Sequence, residues 1–126
     1  MPLLVPISVG ELLDKISILE IKAEAITDPA KHPNVMQELA ALDAVRGREV
    51  VEVPELAALY AELQAVNRRL WRIEDDIRAV ERAGQFDESF IQLARGIYRN
   101  NDQRAVLKRR INELTGSEIV EEKSYV

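Results

Sequence analysis

Two polar residues, Asn100 and Arg104, stand at helix-period positions inside the apolar stripe Leu93, Ile97, Leu107, Ile111 and Leu114. A guanidinium keeps its proton in a protein. One placed in a core therefore needs carboxylates or carbonyls around it, or costs several kcal/mol in desolvation. Folding this stripe back about the 83–88 segment onto an antiparallel neighbour brings Arg104 near Asn67 and within a turn or two of Glu74, which flanks Trp71. Asn67, Trp71, Glu74, Asn100, Asn101 and Arg104 are thus expected to form one polar layer at mid-bundle. Glu74 is the first candidate to match the Arg104 charge, with Glu20 or Asp14 on an N-terminal helix as the second. Such a layer has two uses. As a buried network it fixes helix register, which is the favoured use. As an anion pocket it would employ Arg104 as a clamp and Glu74 as acid or base, with Asp14 or Lys15 supplied by helix one. Asp14 also lies near a helix N-terminus, where the dipole favours a carboxylate without any chemistry.

Other chemistries fail on residue type or direction. Glu74, Asp75 and Asp76 are consecutive, so on a helix they point about 100° apart and cannot converge on one ion. The chain has no cysteine and a single histidine, His32, in a loop, which leaves no thiolate site, triad or zinc site. No Gly-rich phosphate loop or nucleophile elbow is present. The Glu-Glu-x-x-Glu helix of all-α nucleotide pyrophosphohydrolases is missing, and helix one lacks the arginine motif of chorismate-mutase-like enzymes. No metal and no cofactor is expected.

The elements that hold this layer read as helices. Ala, Leu, Glu and Arg dominate a chain that is 47% hydrophobic and only 5% aromatic, a helical rather than a β-sandwich composition. Ser8 and Glu11 form a capping-box pair that opens helix one, about 9–27, which Asp28-Pro29 stops. A second helix is expected over about 33–46, ending at Gly47. Residues 3–7 and 48–53 alternate weakly and are expected to pair as a short ribbon. The strongest pattern is Leu56, Leu59, Leu63, Val66, Leu70, Ile73, Ile77 and Val80, a strict 3-4 spacing on a helix of about 54–82, about 42 Å long. Leu at three of the four first core positions, with β-branched residues at three of the four second positions, leans towards four helices rather than two. Gly84 breaks the chain, and a matching helix over about 88–115 completes an antiparallel hairpin. Residues 117–126 form a charged tail.

Four blocks are also familiar as sequence: residues 8–22 (Ser-Val-Gly-Glu-Leu-Leu-Asp-Lys-Ile-Ser-Ile-Leu-Glu-Ile-Lys), 70–78 (Leu-Trp-Arg-Ile-Glu-Asp-Asp-Ile-Arg), 98–105 (Tyr-Arg-Asn-Asn-Asp-Gln-Arg-Ala) and 121–125 (Glu-Glu-Lys-Ser-Tyr). Through them nearly the whole chain resembles a family of small, uncharacterised bacterial all-helical proteins. The resemblance brings no activity, ligand or catalytic residue with it.

Together these features predict a single all-α domain over 1–126, four-helix bundle-like, with one long hairpin and two shorter helices. The formal charge of −5, basic runs spread around their helices and the lack of any ~20-residue apolar stretch argue against nucleic-acid and membrane partners. A cytoplasmic interaction or accessory protein is expected, with a protein partner open to it. The alternative is a small-molecule-binding bundle or small enzyme using the mid-bundle cluster. Helix one carries a second apolar stripe, Ile18, Ile21 and Ala25, so a homo-oligomer, with a dimer favoured, is expected through that face.

Overall fold

The chain enters its first helix at Ser8, whose side chain accepts a hydrogen bond from the Glu11 N–H at 3.0 Å. The computed structural model describes residues 1–125. Val126, the end of the expected charged tail, lies outside the described residues. Helix α1 spans Val9–Ala25 and stops two residues short of the expectation, because Ile26 turns extended ahead of Asp28-Pro29. Only one half of the capping box forms. Glu11 turns its carboxylate to Lys108 and Lys15 instead of back to its own helix end.

Helix α2 spans His32–Glu49 with Pro33 in its first turn. It runs through Gly47, contrary to the expected stop. Among the described residues only Gly84 and Gly116 adopt positive φ, so Gly47 makes no left-handed cap. Just past its end, Glu52 accepts from Arg46 Nε at 2.8 Å, and the Arg46 guanidinium lies 4.6 Å from the Tyr60 ring centre. The expected ribbon is also absent: the described residues contain no strand. The helix absorbs Arg48 and Glu49, Pro6 has no N–H to give a ladder, and Leu4 and Val51 stay 92% and 80% exposed.

The long hairpin matches its expected bounds. Helix α3 spans Pro54–Arg82 and helix α4 spans Glu88–Thr115. Gly84 at φ 68 turns the chain between them, Asp87 caps α4 through the Ser89 N–H, and Gly116 at φ 65 closes it. Leu12, Leu13 and Ile16 of α1 form the core with Leu56, Leu63, Val66 and Leu70 of α3 and Leu107 and Ile111 of α4.

Helix α1 packs against all three other helices, whereas α2 approaches α1. The second stripe of α1 is thereby largely covered within the chain: Ile21 is buried, Ile18 half-buried, and Ala25 alone exposed. The far half of the hairpin has no such cover. Ile73, Ile77, Val80, Leu93 and Ile97 are only half-buried there.

Candidate functional site

Asp14 is 1% exposed, the most deeply buried charge in the described chain. It sits on the second turn of α1, on the side that faces both arms of the hairpin. From α4, Arg104 Nε donates to Asp14 Oδ1 at 2.9 Å and Oδ2 at 3.1 Å, and Nη2 closes a bidentate pair on Oδ2. From α3, Asn67 Nδ2 donates to Asp14 Oδ1 at 2.9 Å and to Ser17 Oγ at 3.1 Å. Lys108 Nζ stands 3.6 Å from Asp14 Oδ2 and donates to Glu11 at 2.6 Å and to Glu121 of the tail at 3.0 Å.

Burial alone would raise the Asp14 carboxyl. The hydrogen bonds from Arg104 and Asn67 and the charges of Arg104 and Lys108 outweigh it, holding the group below the usual carboxylate value. Burial likewise pulls Lys108 down, and its bonds to Glu11 and Glu121 push it above the ordinary lysine value. The bond to Asp14 raises Arg104 further. All three groups are therefore fixed as ions at neutral pH.

One turn earlier, α1 presses backbone against α4. Gly10 N donates to Asn112 Oδ1 at 2.7 Å, and Val9 N to Ser117 Oγ at 3.2 Å. A Cβ on Gly10 would stand 2.6 Å from the Lys108 carbonyl oxygen, so no other residue fits this contact without movement.

Beside Arg104 a cleft of about 460 Å³ opens where α1 leaves the hairpin, lined by Ile18, Asn67, Leu70, Trp71, Glu74, Asp75, Arg78, Asn101 and Arg104. Of the expected layer, Asn67, Trp71, Glu74, Asn101 and Arg104 do come together around it. Arg104 Nη1 reaches Asn101 Oδ1 at 3.4 Å.

Four expectations need correcting. Glu74 does not match Arg104; it pairs with Arg78 on its own helix. Contacts of Gly96 with Ile73, and of Asn100 with Arg69, set a register that leaves Arg104 two and a half turns, ~13.5 Å along the axis, from Glu74. Asn100 turns away to the other side of the seam, accepting from Arg69 at 3.1 Å and donating to Gly96 O at 2.8 Å. Lys15 is exposed and sits 3.7 Å from Glu11, away from the cleft. Glu20, the other fallback, accepts from Tyr60 and Gln64 at 2.7 Å each.

Gly10, Glu11, Ser17, Lys108 and Asn112 were absent from the expected layer. Lys108 carried the one usable signal, since it follows core Leu107 and so borders the stripe by about 100°. Among the described residues no group of three His, Asp or Glu side chains converges as a metal site, and no helix is long and apolar enough to cross a membrane.

Comparison with curated proteins and with solved structures returns no match. A family model does match, over residues 3–126, under the description "family of unknown function". The four familiar sequence blocks all fall within it, and the chain belongs to that family, DUF6165.

Proposed function

We propose that this chain is a non-catalytic, oligomeric interaction or accessory protein of the bacterial cytoplasm, and that its polar layer is a clamp between helices. One observation carries the proposal. Every buried side-chain nitrogen and oxygen among the described residues has a hydrogen-bond partner within the chain. A site awaiting a substrate tends to leave a donor or acceptor unmatched. Here the Asp14 oxygens are already taken up by Arg104, Asn67 and Lys108.

The second reading, a small-molecule site, draws on the cleft beside Arg104. Charge counts against an anion there. Arg104 is matched by Asp14 and Arg78 by Glu74, so Asp75 is left as the excess charge on the lining.

Replacing Arg104 by Met separates the two. As a clamp, Arg104→Met strands the Asp14 carboxylate and lowers unfolding stability by about 3 kcal/mol. At a site strained for a ligand, the same change leaves stability unaltered or raises it. Urea melts give the answer directly, and a neutral result contradicts the clamp.

A further inference from the structure

Asn67, Trp71 and Asp75 follow one another at four-residue steps along α3, so they form one column with roughly 6 Å between neighbours. All three line the cleft beside Arg104. They bring it an amide, an aromatic ring and a carboxylate.

Asn67 is only 4% exposed, and its Nδ2 donates to the Asp14 carboxylate and to Ser17 Oγ. An ionised carboxylate can only accept, so the amide nitrogen must point that way and Oδ1 must point the other way. Both hydrogen bonds of Asn67 leave from Nδ2, and every side-chain oxygen sealed from solvent in the described chain has a partner. Oδ1 is therefore not sealed; it opens onto the cleft as a free acceptor. Trp71 is half-buried, and the one guanidinium–ring stack among the described residues is Arg46 on Tyr60, which leaves the Trp71 ring untaken. Asp75 is exposed. Asp14 matches Arg104 and Glu74 matches Arg78, so the Asp75 charge is the surplus.

A free acceptor, a bare indole and a surplus carboxylate in one column suit a cation. A guanidinium suits them better than an ammonium, because it stacks flat on the ring and still offers N–H groups at its edge. Laid on Trp71, it has Asn67 Oδ1 one turn to one side and the Asp75 carboxylate one turn to the other. Ile18 and Leu70 are there for the methylenes behind it. We propose that the cleft receives an arginine side chain presented by a partner protein of another sequence. This anchor deepens the interaction role proposed above and rests on it. The cleft is open towards the distal hairpin, which no third helix covers, whereas a small-molecule site encloses most of its ligand. A guest held by its tip, with its other end part of a larger body, fits such an opening. Half-buried Phe90 and Ile97 beyond the cleft give that body a surface to rest on.

Trp71 is the only tryptophan, so the indole N–H signal in a nitrogen–proton correlation spectrum reports on the cleft alone. Arginine capped as its N-acetyl amide should shift that signal saturably. Capped citrulline, which has the same shape without the charge, should bind at least tenfold more weakly. Asp75→Lys, with helicity unchanged by circular dichroism, should weaken capped arginine tenfold. Asp76→Lys, which faces the other side of the hairpin beside Val80 and Gln92, should leave it unchanged. Equal binding of capped citrulline, preference for capped glutamate, or equal losses at Asp75 and Asp76 would each overturn the cation site. Free arginine binding tenfold more tightly than the capped form overturns the partner in favour of a small ligand. Self-association that Asp75→Lys abolishes overturns it in favour of the chain's own arginines. No shift with any of these probes overturns the anchor and leaves the helix clamp, which urea melts test separately, standing.

Discussion

At Asp14, two large and opposed effects meet. Burial disfavours its charge, yet four donated hydrogen bonds and a nearby ammonium favour it more. That balance sets the sign of the pH dependence. A carboxyl held below its ordinary value of 3.8 contributes stability that is fully present above that value and is lost as pH falls towards the lower folded value. Urea midpoints of the native chain should therefore drop below about pH 4. In Asp14→Asn that part of the drop should disappear, although the variant is less stable at neutral pH. Parallel pH profiles for the two proteins would show that the carboxyl is not held in this way. The sequence marked Asp14 as out of place on an apolar face and Arg104 as a charge needing a partner. It joined them only as a fallback behind Glu74, because spacing within one helix carries no information about where a second helix crosses it.

Helices were legible because caps, breakers and period all agreed. Pro54 and Gly84 bound α3, along which the heptad stripe ran unbroken, and Asp87 and Gly116 bound α4. Gly47 misled because a glycine can end a helix but need not, and its φ depends on the conformation of the residues after it. Contact between elements was the illegible part, and Gly10 shows why. Nothing local requires a glycine on the first turn of α1; the requirement comes from the Lys108 carbonyl and Asn112 on α4. Gly10→Ala should accordingly cost about 2 kcal/mol in a urea melt. Gly96→Ala makes the contrast, since its new methyl meets only the flexible end of Ile73 at 3.2 Å. Helix propensity offsets that contact, and the change should stay within about 1 kcal/mol of neutral. Equal effects at the two glycines would mean that α1 and α4 are not in close backbone contact.

For the molecule as a whole, the polar layer decides what unfolds together. Asp14 on α1, Asn67 on α3 and Arg104 on α4 share one set of hydrogen bonds, so none of these helices leaves without breaking it. Helix α2 is held through α1, and residues 117–125 lie along α4 through Glu121 to Lys108 and Glu122 to Arg109. The distal hairpin lies outside this clamp, which leaves it free to serve as a contact surface. A double-mutant cycle on Asp14 and Arg104, read by urea unfolding at neutral pH, tests the clamp most directly. Asp14→Asn and Arg104→Met should each destabilise, and the double variant should recover much of the loss, with a coupling of about 2 kcal/mol, because no buried charge then remains unmatched. Strictly additive losses, or a stabilising Arg104→Met alone, would contradict the account.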